Sequence, residues 1–433
     1  MINRSHELAG EKMLRISRRF AYVAVLLVSA ASPGSAQALE KTWAATWIAS
    51  PVAADEDPDD PLLAIDGQTV RQRARISMGG ERVRVVLSNE FGANPLVVGS
   101  ATIALSRDPG SVEPRSIKAL TFGGRGSVTI PPGAPIMSDP VDLPLPSGSE
   151  IAISLYFPGR VLTPTTHPLA LKRAVISARG DFTRAERIEP KANSESWISV
   201  SAILVAHQPK QRVIVALGDS ITDGDGSSTE LDRSWPSFLA RRLNRRADGS
   251  GIAVVNAGIA GNRLLADGFG SKSLGMSGLA RFDRDVLMVP GATHVVVLEG
   301  TNDLGFPAAE IHGRPLARPD ETFTPEDLIA GYRQLIARGH ARGLKVIGAT
   351  MMPFEGVELP GYYSPSKEQA RQTVNRWIRT SKEFDGVVDF DAVVRDPSHP
   401  SRIQSRYSSP DHLHPSDIGY EAIADSIDLA LLQ

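Results

Sequence analysis

The hydrophobic pattern of this 433-residue chain changes near residue 211, and that change limits the fold more than any other feature. Before it, short apolar runs are separated by Gly, Pro, Asn and Ser, and "RVRVVLSNEF" begins with charged and apolar residues in alternation. A period of two is typical of strands, so residues 39–208 are predicted to form a jelly-roll-like β-sandwich. After it, strand and helix patterns alternate, which predicts a parallel, doubly wound α/β sheet over residues 209–433.

The second half offers short runs that are apolar throughout, at residues 213–217, 253–256, 294–298, 345–350 and 387–390. Such runs are expected where helices cover both faces of a sheet. Helix starts are predicted between them at Ser234 and at Thr324, each of which can cap a helix. Ligands of such sheets bind at the carboxyl ends of the strands, so a site is expected in the loops that follow these runs.

The first 38 residues are predicted to be a secretory signal peptide. A basic segment, "MLRISRRF", precedes the eleven-residue apolar run "AYVAVLLVSAA", and small residues follow with Ala36 and Ala38 in an A-x-A pattern. The apolar run is too short to span a bilayer. We therefore expect cleavage after Ala38, a secreted or periplasmic location, and no membrane anchor in the mature chain. Whether translation starts at Met1 or Met13 stays open.

Composition narrows the partners and the chemistry. The formal net charge is −2, which gives no electrostatic reason to expect nucleic acid or an anionic membrane as a partner. Cysteine is absent, so disulfides, thiolate metal sites and a cysteine nucleophile are excluded. No cofactor is predicted, the expected partner is a small-molecule or polysaccharide ester, and the oligomeric state is not predicted.

The segment "VIVALGDSITDG" places Ser220 just after a predicted buried strand, which raises the question of a nucleophile. A serine hydroxyl needs a general base, usually histidine, and that base needs a carboxylate to orient it. The segment "SSPDHLHPSD" supplies both, because Asp411 and His414 are three residues apart and can lie on one side of a turn. His412 is the competing base, but it is adjacent to Asp411 and is expected to project elsewhere.

Donors for an oxyanion are predicted after the second and third strands. In "NAGIAGNR", glycine allows a close approach of the backbone, and the N–H of Gly258 is the predicted donor. In "LEGTND", the side-chain amide of Asn302 can donate, and the N–H of Ser220 would be a third donor. Each motif alone is common in turns, but together they occupy strand-end loops of one predicted domain.

These blocks resemble those of the SGNH hydrolase superfamily, also called the GDSL esterase/lipase family. "GDSIT" is similar to its serine block, with isoleucine where the family name has leucine, and "NAGIAGN", "GTND" and "DHLH" resemble the other three. The resemblance covers residues 213–433. It implies a flavodoxin-like three-layer α/β/α fold and metal-independent hydrolysis of esters.

The resemblance also implies roles for the candidate residues. Ser220 would be the nucleophile, His414 the base and Asp411 the group that orients it. Ser220, Gly258 and Asn302 would form the oxyanion hole.

Two further residues are predicted to bind substrate. Arg263 and Phe354 follow the second and fourth predicted strands and could line an acyl pocket, with core or rim packing as an equal alternative. A classical α/β-hydrolase is disfavoured, because that fold has Gly-x-Ser-x-Gly where this chain has Thr222.

A metal site is a weaker interpretation. The residues that could be gathered into one show no tight ligand motif, and they are Asp219, Asp223, Asp225, His412 and His414. For Asp219, and for Asp303 beside Asn302, hydrogen bonding to loop N–H groups is preferred.

The sequence therefore predicts a secreted serine esterase that deacetylates or deacylates a carbohydrate. A broad arylesterase or lipase is the alternative enzyme. A carbohydrate-binding protein with an inactive hydrolase domain is the alternative outside enzymes, because Trp43, Trp47 and Trp197 could stack on sugars, although tryptophans in a sandwich are more often core.

Overall fold

The structure is a computed structural model that describes residues 42–55, 64–207, 211–246 and 251–433. The described residues all fall within one compact unit, residues 41–433. The predicted signal peptide, residues 1–38, lies outside the described residues. Within the described ranges, no helix has the length and apolar character needed to cross a bilayer.

Residues 42–207, called the β-region below, contain seventeen strands in their described part. In chain order they are β1 Thr42–Ile48, β2 Val52–Ala53, β3 Asp66–Arg75, β4 Gly80–Ser88, β5 Leu96–Val98, β6 Ser100–Asp108, β7 Ser111–Val112, β8 Lys118–Ala119, β9 Val128–Ile130, β10 Pro135–Met137, β11 Val141–Leu145, β12 Glu150–Arg160, β13 Thr165–His167, β14 Ala174–Arg179, β15 Ala192–Ser194, β16 Trp197–Ile198 and β17 Val200–His207.

Two antiparallel sheets dominate the β-region. One has the order β1-β17-β4-β10, with β11 also on β4, and the other has the order β15-β14-β3-β12-β6-β7, with β8 on β6. Alternate residues of both sheets enter one core, for example Val83 and Val85 from β4 with Ile151 and Ile153 from β12. The alternation predicted from "RVRVVLSNEF" gives β4 one buried face and one less buried face. The jelly-roll assignment stays a prediction.

Residues 212–433, called the α/β region below, supply the remaining strands and the α-helices. The strands are β18 Arg212–Gly218, β19 Ile252–Gly258, β20 Ala292–Leu298, β21 Glu310–Ile311, β22 Arg314–Pro315, β23 Lys345–Ala349 and β24 Gly386–Val388. The helices are α1 Ser220–Asp223, α2 Trp235–Asn244, α3 Gly278–Phe282, α4 Thr301–Gly305, α5 Pro325–Ala341, α6 Pro365–Thr380, α7 Phe390–Val394 and α8 Asp417–Ser426. Single turns of other helix types occupy residues 114–116, 272–274, 283–287 and 429–432.

The main sheet of the α/β region is parallel, with the order β19-β18-β20-β23-β24. Numbered along the chain this is 2-1-3-4-5, the flavodoxin-like order, whose switch point lies between its first and third strands. All five strands overlap their predicted positions. The last is shorter than predicted, because Asp389 caps a helix that begins at Phe390.

Helices cover both faces of this sheet. Val213, Val215 and Leu217 of β18 pack on the side of α5 and α6. Ile214 and Ala216, which point the other way, pack on the side of α2, α7 and α8. The three-layer α/β/α fold predicted for the second half is therefore confirmed.

The predicted helix starts differ in how they are capped. Thr324 and Asp327 form a complete capping box at the start of α5. Ser234 occupies the N-cap position of α2, but its hydroxyl lies 3.0 Å from Ser237 Oγ and makes no hydrogen bond to the helix backbone.

The two regions share part of their core. Ala44 and Ala45 of β1 and Leu204 of β17 belong to the same buried cluster as Val213 and Val255 of the parallel sheet. The predicted domain boundary, between residues 208 and 209, lies outside the described residues and stays a prediction.

Candidate active site

The turn after β18 is fixed by close packing. A side chain at Gly218 would place Cβ 2.0 Å from Thr222 Oγ1 and 2.6 Å from the carbonyl oxygen of Leu298, so this position requires glycine. Asp219 caps α1, and its carboxylate accepts a hydrogen bond of 3.0 Å from the N–H of Ile221. Ser220 is thus the first residue of a short helix, at the switch point of the sheet.

The loop before α8 brings a histidine and a carboxylate to this serine. His414 Nε2 lies 2.8 Å from Ser220 Oγ, and His414 Nδ1 lies 2.6 Å from Asp411 Oδ2. Asp411 Oδ1 accepts hydrogen bonds from the N–H groups of Leu413 and His414, each at 2.9 Å, and from Ser409 Oγ at 2.6 Å. The carboxylate is therefore held in place on both oxygens.

The structure brings His414, and not His412, to the serine. His412 has φ 60° and an exposed side chain. This left-handed conformation is uncommon for a non-glycine residue, and it falls within the tight turn that joins Asp411 to His414. This is the arrangement that the spacing of Asp411 and His414 predicts.

The charges around His414 favour its protonated form. Burial lowers the pKa of His414, but the hydrogen bond to Asp411 and the charges of Asp225 and Asp411 outweigh it, so the pKa lies above its ordinary value. Burial raises the pKa of Asp411, and its hydrogen bonds with His414 and Ser409 overcome this and hold it well below its usual range. Asp411 therefore stays ionised and can stabilise a protonated His414.

Asn302, in the first turn of α4, has its amide orientation fixed. Its Nδ2 donates to the carbonyl oxygen of Asn262 at 2.9 Å, and its Oδ1 accepts from Tyr362 Oη at 2.7 Å. An amide has two N–H groups, so one of them remains available for a ligand.

Gly258 does not present a free donor. Strand β19 extends to Gly258, whose N–H donates to Asn256 Oδ1 at 2.8 Å. A side chain there would put Cβ 2.3 Å from the backbone nitrogen of Asp223, so glycine is needed for α1 to pack against the strand. This hydrogen bond contradicts the predicted use of the Gly258 N–H for an oxyanion.

The turn that follows offers a different N–H. The N–H of Ile259 donates to the Gly218 carbonyl, that of Ala260 to Asp223 Oδ2, and that of Asn262 to the Ile259 carbonyl. Gly261, with φ +72°, has the one N–H of this turn without an acceptor among the residues that the structure describes. Gly261 directly precedes Asn262, whose carbonyl oxygen accepts the hydrogen bond from Asn302.

A family model matches the part of the chain that contains this site. Residues 216–422 match the model of the GDSL-like Lipase/Acylhydrolase family. This segment is a GDSL-like lipase/acylhydrolase domain. The match includes every residue predicted above to be catalytic or to bind substrate. No curated protein matches the chain.

Solved structures similar to this chain include several esterases and lipases, each matched over about half of this chain. A GDSL-like lipase from Bacteroides thetaiotaomicron is 18% identical, with 52% of this chain and 89% of that chain covered and a TM-score of 0.37. A variant of an acetyl xylan esterase from Geobacillus stearothermophilus is 19% identical, with 51% and 94% covered and a TM-score of 0.38. A psychrotrophic esterase from Pseudoalteromonas is 17% identical, with 50% and 94% covered and a TM-score of 0.34.

The two predicted substrate-binding residues of the GDSL-like domain lie in packed surroundings. Arg263 is buried, forms an ion pair with Glu321 and donates to the carbonyl of Asp267. Phe354 is completely buried and packs edge-on against Tyr362, with ring centroids 5.6 Å apart. The structure therefore favours packing roles for both, which was the alternative interpretation of these residues.

Two groups near Ser220 were missed as site residues. Asp225, considered only as a metal ligand, places Oδ2 3.7 Å from His414 Nε2, with 43% of its side chain exposed. His167 of the β-region contacts Asp223 of α1. Nothing in the sequence pattern links His167 to the serine motif, because the contact joins distant parts of the chain.

Buried charges support the strand ends beneath Ser220. Arg281 donates to the carbonyls of Gly218 and Ala257 at 2.9 and 2.6 Å and contacts Glu299 at 3.1 Å. Asp303 accepts hydrogen bonds from two consecutive loop N–H groups, as preferred from the sequence, and burial raises its pKa to about 6. Among the described residues, no three His, Asp or Glu side chains are grouped to hold a metal ion.

Proposed function

We propose that this protein is a secreted serine esterase that removes short acyl groups from a neutral carbohydrate. The observation that carries the proposal is the continuous contact from Ser220 Oγ through His414 to Asp411, within a GDSL-like domain. Nucleophile, base and orienting carboxylate within hydrogen-bond reach are the parts that acyl transfer needs.

Acylation begins when Ser220 Oγ attacks the ester carbonyl carbon and passes its proton to His414 Nε2. The carbonyl π electrons move to oxygen, and the resulting oxyanion accepts hydrogen bonds from the N–H of Ser220, the free N–H of Asn302 and the N–H of Gly261. Asp411 stabilises the imidazolium formed in this step.

The intermediate then collapses. The bond from the acyl carbon to the alcohol oxygen breaks, that oxygen takes the proton from Nε2, and the acyl group stays on Ser220. A water molecule attacks the acyl carbon and gives a proton to His414 Nε2, which forms a second tetrahedral intermediate. The bond from the acyl carbon to Ser220 Oγ then breaks, and the carboxylic acid is released. The proton on Nε2 returns to Ser220, so the residues end the cycle unchanged.

The surroundings of the site support a short acyl group and a neutral alcohol. Tyr362, which contacts Asn302, belongs to one buried apolar cluster with Phe354 and Leu413, and such a packed cluster leaves little room for a long acyl chain. Asp225 stands next to Nε2, where the alcohol leaves, and its half-exposed carboxylate can accept hydrogen bonds from hydroxyl groups. The same charge disfavours an anionic alcohol such as a uronate.

Activity on a panel of esters tests the proposal. The purified protein and Ser220→Ala would be assayed on p-nitrophenyl acetate, on acetylated xylan and pectin, and on long-chain esters. We expect acetyl release by the wild type, a preference for xylan over anionic pectin, and loss of turnover in the variant. Preference for long-chain or simple aryl esters would favour a lipase or arylesterase, and no turnover at all would favour the binding protein.

Export is a separate part of the proposal and rests on the sequence of residues 13–38. N-terminal sequencing of protein recovered from the periplasm or the medium should give a chain that begins near Leu39. Recovery only from the cytosol, with residues 13–38 attached, would refute export without affecting the esterase assignment.

A further inference from the structure

A buried histidine of the β-region contacts the helix that carries the nucleophile. His167, at the end of β13, places Nδ1 3.0 Å from the carbonyl oxygen of Ser50 and Nε2 3.0 Å from Asp223 Oδ1. Asp223 is the last residue of α1, and Ser220 is the first. The two regions therefore meet directly behind the serine.

Asp223 also forms hydrogen bonds with the turn 259–262, which contains the proposed oxyanion donor Gly261. Its Oδ2 accepts a hydrogen bond of 3.1 Å from the N–H of Ala260, and its backbone carbonyl accepts one of 3.1 Å from Asn256 Nδ2. Ala260 immediately precedes Gly261. One carboxylate thus joins β13, α1 and the turn 259–262.

Donors and acceptors define the proton that this contact needs. A carbonyl oxygen can only accept, so Nδ1 of His167 carries a hydrogen directed to Ser50. One further proton must lie between Nε2 and Asp223 Oδ1, because a bare ring nitrogen and a carboxylate repel each other. Imidazolium with carboxylate, or neutral imidazole with carboxylic acid, satisfies the geometry equally well.

The nucleophile helix depends on such side-chain contacts. With only the four residues from Ser220 to Asp223, α1 is far below the length at which a helix is stable by itself. We propose that His167 is a positioning residue: through Asp223 it sets the position of Ser220 relative to the Gly261 N–H. The β-region would then contribute to turnover without touching the substrate.

Docking of the β-region does not depend on this histidine alone. Arg73 pairs with Glu230, and Arg75 Nε lies 2.7 Å from Asp232 Oδ2, so other ion pairs also join the regions. Removing the side chain of His167 therefore tests alignment of α1 more than attachment of the β-region.

Two amide variants separate the contacts of His167. In His167→Gln the amide nitrogen can reach the place of Nε2 and donate to Asp223, whereas in His167→Asn it reaches only the place of Nδ1, beside Ser50. Misalignment of about 1 Å can cost roughly 10²-fold in rate. We expect His167→Asn to lower kcat by roughly 10- to 100-fold with KM nearly unchanged, and His167→Gln to retain most of kcat.

A second pair of variants covers the case in which a His167 variant fails to fold. Asp223→Asn keeps an oxygen for the Ala260 N–H and an N–H for Nε2, so it should retain most of kcat. Asp223→Ala removes both contacts and should lose kcat as His167→Asn does. Arg75→Ala serves as the docking control, because it breaks another cross-region pair and should leave kcat unchanged.

The outcomes distinguish this proposal from the proposed function on which it rests. A wild-type protein that hydrolyses no ester would refute the esterase assignment itself. With an active wild type, unchanged kcat in His167→Asn, or equal losses in His167→Asn and His167→Gln, would overturn the positioning role. A loss of kcat in Arg75→Ala matching that in His167→Asn would also overturn it, since general docking would explain both.

Discussion

The two regions of the molecule use their acidic residues differently. Where a carboxyl pKa is shifted in the described part of the β-region, it is lowered: for Asp108 by the hydroxyl of Ser111, and for Asp139 by the hydroxyl of Thr121. The carboxyls with a raised pKa among the described residues all belong to the α/β region, and they are Asp219, Asp223, Glu299 and Asp303. Burial is the largest cause for each of these four.

This difference shows where the fold contains buried carboxyl groups that reduce its stability. The lowered carboxyls stabilise turns of the β-region, as Asp139 does by accepting from the N–H groups of Gly123 and Gly124. The raised ones lie in the segments that directly follow β18 and β20, where Asp219 Oδ2 and Glu299 Oε2 are buried with no hydrogen-bond partner among the described residues. Local conflicts with stability are expected at functional sites, so the contrast points to the loops around Ser220.

The largest expected effect tests whether catalysis belongs to the α/β region. His414→Ala removes the proposed base and should lower kcat by about 10⁴- to 10⁶-fold, because the serine then has no proton acceptor. His412→Ala, two residues away and exposed, should retain nearly full activity. Steady-state kinetics on a soluble acetyl ester compares the two, and a dead His412→Ala beside an active His414→Ala would show that the wrong histidine was assigned.

The next effect compares one buried arginine from each region. Arg281 donates to carbonyls at the ends of β18 and β19, beneath Ser220, and pairs with Asp285 and Glu299. Arg71 donates to Ser154 and to backbone carbonyls of the β-region, including that of Gly110. Arg281→Met leaves buried carboxyls without their partner and should lower the free energy of unfolding by about 3–5 kcal/mol. Arg71→Met leaves carbonyls unpaired and should lower the free energy of unfolding by about 1–3 kcal/mol for each buried group.

Urea unfolding measures these costs, and kcat of the folded variants separates the regions. We expect Arg281→Met to lower kcat as well as stability, because the ends of β18 and β19 lose their common donor. Arg71→Met should lower stability alone. Equal loss of kcat in both variants would contradict this expectation. It would mean that a buried arginine affects turnover equally in the two regions.

The proposed oxyanion donor Asn302 gives a smaller expected effect. Asn302→Ala removes a donor to the transition state and should lower kcat by roughly 10²- to 10³-fold with little change in KM. Tyr362→Phe removes only the hydroxyl that orients the amide of Asn302, so this variant should lose less kcat than Asn302→Ala. A large rise in KM with unchanged kcat in Asn302→Ala would indicate ground-state binding instead.

Much of this site could be predicted from local sequence. The apolar run before Ser220 identified β18, and the three-residue spacing of Asp411 and His414 distinguished two histidines, because both features depend on backbone geometry within a few residues. The choice between Gly258 and Gly261 failed for a related reason. That choice depends on where β19 ends and on which N–H group donates a hydrogen bond to the side chain of Asn256. Neither follows from the presence of two glycines.

The remaining features depend on tertiary packing. Arg263 and Phe354 follow strands of the sheet, as predicted, but whether they face substrate or core is decided by neighbours such as Glu321 and Tyr362. His167 belongs to a strand of the other region, and its contact with Asp223 exists only after the regions pack together. No period or motif in the sequence carries that information.

The smallest expected effect concerns the pH dependence and a carboxylate from each region. Asp225 raises the pKa of His414 by stabilising the imidazolium, and the proposed base acts only when it is neutral. Activity should therefore rise with pH as His414 loses its proton, and Asp225→Asn should move this acidic limb of kcat/KM to lower pH. Asp142→Asn, at an 87%-exposed β-region carboxylate, should leave the limb in place. A shift to higher pH in Asp225→Asn would mean that this carboxylate does not favour the imidazolium, and equal shifts in both variants would reflect net charge rather than the position of Asp225 beside Nε2.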